Sequence, residues 1–151
     1  MTRGGECGCN PRSMSTTLDD LVALEARILA TIAWCDGVFD EAERMFYVAF
    51  LDESPVGDTT RVELLACTES APDREALLDA FAAQPRPVRV ALLQRAHMMA
   101  MANDILHLAE KAFLAELATR SGVKQVDVPK VFEMLSHLHE AARLEDELFG
   151  V

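Results

Sequence analysis

Apolar residues recur every three or four places along most of the chain, and nowhere do they alternate with polar ones as a half-buried strand requires. Leu21, Leu24, Ile28 and Ile32 mark the core face of a first helix, predicted from Leu18 to about Cys35. Ser15, Thr16 and Thr17 offer its caps, and Asp19 and Asp20 suit the positive end of its dipole. A second helix is expected from Asp40 to about Leu51 on a stripe of Met45, Phe46, Ala49 and Phe50. Pro55 and Gly57 mark a loop, and a third helix follows from Thr60 to Thr68 on Val62, Leu65 and Ala66. Ser70 is the expected cap of a fourth, with Pro72 in its first turn and Leu77, Leu78 and Phe81 buried as far as Ala83. Gln84-Pro85-Arg86-Pro87 then stops the chain and divides it into halves. The fifth helix is predicted over Val88 to Met101, the sixth over Leu106 to Arg120, and the last from Asp127 toward Leu148 on Val131, Leu135 and Leu138. The expectation is an all-α, single-domain bundle of about seven helices over residues 15–151, behind a disordered Gly-rich leader at 1–14.

Between the first two helices lies Ala33-Trp34-Cys35-Asp36-Gly37-Val38-Phe39-Asp40-Glu41-Ala42-Glu43. Asp36-Gly37 is a strong breaker, because glycine reaches positive φ freely and aspartate tolerates the turn. Asp40 is placed as an N-cap, with Glu43 where its carboxylate can return to the cap N–H. A shift of 67 places lays Asp36 on Asn103, Gly37 on Asp104, Asp40 on His107 and Glu43 on Glu110. Ala33/Ala100, Ala42/Ala109, Glu43/Glu110 and Phe46/Phe113 are identical across the two copies. A polar breaker followed by a glutamate at the same spacing implies a duplicated helix–turn–helix unit, hence a pseudo-two-fold repeat.

The pattern Ala-x-x-Asp-Gly-x-x-Asp-x-x-Glu, closing one helix and opening the next, followed by a degenerate second copy, resembles the TerB-like tellurite-resistance family. Its specific residues lie in the two corners, within a stretch from about Leu18 to Gly150. The resemblance implies a small all-helical protein of bacterial type with an internal repeat, linked to tellurite and broader stress resistance. It also implies acidic corner residues as proposed metal ligands. The second corner departs from the pattern: Asn103-Asp104 stands for Asp-Gly, and His107 for an acidic or small cap.

Composition narrows the function. The formal net charge of −11 disfavours nucleic acid as a direct partner and favours cations and basic protein surfaces. No apolar run approaches the roughly 20 residues of a membrane span, and Met1 to Ser13 lacks the apolar centre of a signal peptide. A cytoplasmic protein without membrane insertion is expected. Cys35 and Cys67 fall in apolar helical surroundings and are expected as reduced, buried thiols. Cys7 and Cys9 lack further ligands nearby, and translation starting at Met14 would omit them.

Asp36, Asp40 and Glu43, joined by Asp104, His107 and Glu110 if the corners meet, form the candidate metal site. Carboxylates favour a hard divalent cation, Ca²⁺ or Mg²⁺. The spacing is not that of an EF-hand, and a turn plus a capping box accounts for the first three residues by themselves. His107-x-x-Glu110 reverses the Glu-x-x-His order of helical two-metal centres. His97 beside Met98, Met99 and Met101 is expected as core filling, and His137 and His139 as no ligand pair. Phosphate loops and the Gly-x-Ser-x-Gly and His-Glu-x-x-His motifs are missing from the sequence. The expected role is a cation-linked sensing or protein-interaction module without catalysis. Two alternatives stand beside it: a metal-dependent enzyme acting through the corners, and a purely structural interaction module.

Overall fold

A computed structural model describes residues 16–150. The leader, with Cys7 and Cys9, therefore lies outside the described residues. Seven α-helices follow one another: α1 (Leu18–Ala33), α2 (Glu41–Glu53), α3 (Asp58–Leu65), α4 (Arg74–Ala82), α5 (Arg86–Ala100), α6 (Leu108–Arg120) and α7 (Val128–Phe149). Short 3₁₀ turns at Ala66–Thr68 and Gln125–Asp127 complete the fold, and no strand occurs among the described residues. None of these helices is long and apolar enough to cross a membrane.

The centre is α1, because its sequence from Val22 to Ala33 is apolar almost all round. Ala26, Ile28, Leu29, Ala30 and Ile32 are fully buried. A helix with no polar face is stable only when covered on every side. Here α2, α3, α4, α5 and α6 all pack on it. Each large aliphatic side chain so buried contributes roughly 1.5–3 kcal/mol. The small residues Ala26, Ala30 and Ala33 let neighbouring helices come close. The most extensive neighbour is α5, the repeat counterpart of α1.

The repeat is a property of the backbone. Both α1 and α5 end at equivalent alanines, Ala33 and Ala100, and α2 and α6 coincide at both ends under the same 67-place shift. Gly37 has φ +87° and its counterpart Asp104 φ +61°. The halves differ afterwards. In the first, α3 and α4 fold back, held by Trp34 Nε1 donating to Cys67 O (2.8 Å) and Tyr47 OH donating to Leu64 O (2.8 Å). Arg74 stacks over Phe113 and bonds Glu116 (2.6 Å), tying α4 to α6. In the second half one helix, α7, runs straight on. Its residues after His139 are all exposed, Leu144, Leu148 and Phe149 among them.

Several sequence expectations are corrected in detail. The cap of α4 is Asp73, whose carboxylate accepts from Ala76 N, so Ser70 and Pro72 precede the helix. Pro87 sits in the first turn of α5, where its missing N–H is harmless, so that helix starts at Arg86. Met45, Ala49, Val62 and Leu65 face solvent, while Tyr47, Leu51 and Leu64 fill the core in their place. An apolar stripe two residues wide has two candidate centres, and the neighbouring helices select one. Val90 and Leu138 are likewise partly exposed.

Positive φ at both corners yields a paired prediction. A Cβ at Gly37 meets no atom within 4 Å, so Gly37→Ala suffers only the left-handed backbone penalty. It should cost about 1–2 kcal/mol. Asp104→Gly removes the smaller penalty borne by aspartate and should stabilise by roughly 0.5 kcal/mol. Urea denaturation midpoints moving in opposite directions for the two variants would bear this out.

Candidate functional site

Each corner is built by the same local hydrogen bonds. Asp36 Oδ1 accepts from Val38 N at 3.0 Å, and Asn103 Oδ1 accepts from Ile105 N at 3.0 Å. These are Asx turns, in which a short polar side chain imitates a backbone carbonyl. At the next helix start, Glu43 Oε2 accepts from Asp40 N (2.9 Å) and Glu110 Oε2 accepts from His107 N (2.7 Å). Asp40 Oδ1 completes the first capping box by accepting from Glu43 N at 2.8 Å. The cap reading of Asp40 and Glu43 is thus met in full, and it uses one oxygen of each carboxylate.

The tertiary fold brings the corners together. Asn103 Nδ2 donates to Asp40 Oδ2 at 3.0 Å, and His107 Nε2 stands 3.9 Å from Asp36 Oδ2. These contacts are related crosswise: Asp36 and Asn103 are counterparts, as are Asp40 and His107, and each touches the other's partner. Such reciprocity is what a two-fold interface produces. Glu43 and Glu110, counterparts of each other, lie close enough for each to perturb the other's carboxyl. They are 4% and 1% exposed. Asp104 is exposed and joins none of these contacts. The structure therefore gathers five of the six candidate ligands and leaves Asp104 aside.

Burial dominates the electrostatics. It pushes the Glu43 carboxyl up to about 7, assisted by the charges of Asp40, Glu110 and Asp36 and opposed by the Asp40 N–H. Burial also raises Glu110, against the lowering effect of the His107 N–H. Asp40 moves the other way, held below the usual carboxylate range chiefly by the Glu43 N–H. Two carboxyl groups this close cannot both ionise cheaply, so burial and mutual repulsion together favour the protonated form of the pair. In the core at the first corner, Trp34, Phe39 and Tyr47 form an edge-to-face series with ring centres 5.8 and 5.6 Å apart. Arg44 covers Phe39 from outside.

The donor chemistry suits a hard cation, since four of the five gathered residues are carboxylates and only His107 brings a nitrogen. Among the described residues, however, no three His, Cys, Asp or Glu side chains converge closely enough to hold an ion. Outside the caps and the Asx turn, the oxygens left are Asp36 Oδ2, Glu43 Oε1 and Glu110 Oε1, together with Asp40 Oδ2, which accepts from Asn103. What sequence reasoning missed is Asn103 as the tie to Asp40; its signal was its place opposite Asp36 in the repeat. Cys35 and Cys67 are half-buried free thiols, and burial pushes the Cys35 thiol up to about 11. That removes it as a nucleophile at neutral pH.

No family model, no curated protein and no solved structure matches the chain.

The buried pair sets a pH dependence. A carboxyl whose folded value of about 7 lies above its ordinary 4.5 stabilises the fold below pH 4.5. That contribution is lost as pH rises through 7. Glu43→Gln keeps an acceptor for the Asp40 N–H and a donor for Glu110 while removing one charge. Thermal melts should show this variant more stable than the parent by about 1–3 kcal/mol at pH 8 and equal to it near pH 4.5.

Proposed function

We propose that the chain is a non-catalytic helical module of the TerB-like kind, whose joined corners link a divalent cation to the packing of its two halves. Through that linkage it serves as a cytoplasmic sensing or protein-interaction module in stress response. The observation that carries this proposal is the crosswise contact of the corners, which gathers Asp36, Asp40, Glu43, His107 and Glu110 at one end of the bundle. Asp36, Glu43 and Glu110 would supply oxygens directly, and Asp40 would contribute the oxygen now held by Asn103. Ca²⁺ or Mg²⁺ is favoured by the hardness of these donors. A bound cation would relieve the repulsion between carboxylates that the fold forces together. The acidic chain as a whole suits a partner with a basic surface.

A binding role is favoured over catalysis by the placement of the cavities. One of about 530 Å³ lies between α1 and α4, lined by Ala23, Leu24, Arg27 and Leu77 among others, and includes none of the corner residues. A metal-dependent enzyme would need its substrate space over the ligands. The purely structural alternative draws on the completeness of the first capping box.

Calorimetry separates the readings. An ion that binds only the folded state stabilises it by about 2.7 kcal/mol at a hundredfold excess over Kd. For a domain of this size that is a rise in Tm of roughly 5–10 °C. The rise is expected with Ca²⁺ or Mg²⁺ at pH 8 and should shrink in Asp40→Asn, which keeps an oxygen for the Glu43 N–H but loses the charge. If no ion gives a heat of binding and the melting curve ignores all of them, the corners are caps alone.

A further inference from the structure

The last helix is held to the bundle by few side chains. Only Val128 and Leu135 of α7 are buried, and every residue beyond His139 is exposed. The outermost attachment is His139 itself, half-buried, which meets His97 of α5 with ring centres 6.0 Å apart and planes at 79°. His97 is 3% exposed. The two rings share a cavity of about 200 Å³ with Gln94, Met98, Leu138 and Ala142.

No carboxylate lines that cavity. Elsewhere around α5, Arg89 keeps a buried Nε without a partner, and other charged groups pair off. Glu25 of α1 is paired with Arg95 (3.1 Å), and Glu43 of α2 and Glu110 of α6 face each other at the corner. On α7, Glu140 is held by Arg143 and His137 stands 3.9 Å from Glu133. A neutral imidazole fits this lining, since it carries one donor and one acceptor and costs little to bury. A cationic His97 ring has two donors, no carboxylate in the cavity to meet, and a second imidazole directly opposite, while Glu140 beside His139 is already engaged by Arg143.

We propose that the His97/His139 contact is an acid-sensitive latch that holds the C-terminal half of α7 on the bundle while the His97 ring is neutral and releases it when that ring charges. Release exposes Leu135 beside the already exposed Leu138, which widens the apolar face of α7 open to solvent. Burial, followed by the neighbouring His139, holds the His97 ring below its ordinary value of 6.5. A histidine lowered in the fold stabilises it fully above pH 6.5, and this contribution is lost as pH falls below that value. The direction is opposite to that of the Glu43/Glu110 pair, so variants distinguish the two.

The test is amide hydrogen exchange of the full chain at pH 7.5 and 5.5, corrected for intrinsic rates, with protection of α7 expressed relative to α1. In the parent, relative protection of residues 131–142 should fall at least tenfold on acidification. His97→Phe, which keeps the ring volume without a titrating group, should abolish most of that fall, and His139→Phe should reduce it. A parent whose α7 protection tracks α1 at both pH values overturns the latch. So does a fall that persists in both variants. If His97→Phe does not fold, His139→Phe and the nuclear magnetic resonance titration of the His97 ring decide the matter. A ring that titrates at or above 6.5 refutes the proposal, and one that titrates below 6.5 together with loosening of α7 supports it.

Discussion

Two carboxyl groups, Glu43 and Glu110, are buried against each other where α2 and α6 begin, and the surrounding corners are built to make that burial tolerable. Each caps its own helix start by accepting a backbone N–H, which compensates part of the lost hydration. Each also feels the positive end of the helix dipole. The remaining cost shows in the raised carboxyl of each, which favours the protonated form of the pair. Removing either side chain outright would free the backbone N–H at its own helix start and leave its partner buried with only that partner's own cap bond. The contact therefore joins three levels: helix initiation, the docking of two repeat halves, and the titration of the site.

The symmetry of the corners is local. Around them α1 with α2 and α5 with α6 obey the repeat closely, down to the positive φ of Gly37 and Asp104. Beyond them it fails. The first half has Pro55, Gly57 and Pro72 to break its path, so α3 and α4 fold back and bury Leu77, Leu78 and Phe81. Ala141 to Phe149 occupy the places equivalent to α4, but no breaker separates them from the preceding helix. The helix continues into solvent, and Leu144 and Leu148, the counterparts of Leu77 and Phe81, stay exposed. One half of the duplicated unit completes the core, while the other projects an acidic, partly apolar helix that rests on a histidine contact.

Much of this was legible along the chain because its causes are local. Helix type follows from apolar period, the corners from Asp36-Gly37 and Asn103-Asp104, and the caps from carboxylates three residues apart. These depend on residues close enough in sequence to meet whatever the rest of the molecule does. Helix starts near proline were less legible, since Pro72 and Pro87 each suit either a first turn or the residue before it. Asp73 and Pro85 decided the matter through backbone geometry.

The sequence by itself determined seven helices, their breaks and the duplication of the corner. Only the tertiary structure decided which face of α2 and α3 turns inward, because Tyr47 and Leu64 are chosen over Met45 and Val62 by the shape of α1. It alone brought Asp40 to Asn103 and Glu43 to Glu110, pairs separated by more than 60 residues. It alone set His97 against His139, where helical periodicity offers no hint that residues of two distant helices share a cavity. Periodicity encodes which residues want to leave water. It does not encode which of them will find each other, because that depends on how several amphipathic surfaces are covered at once.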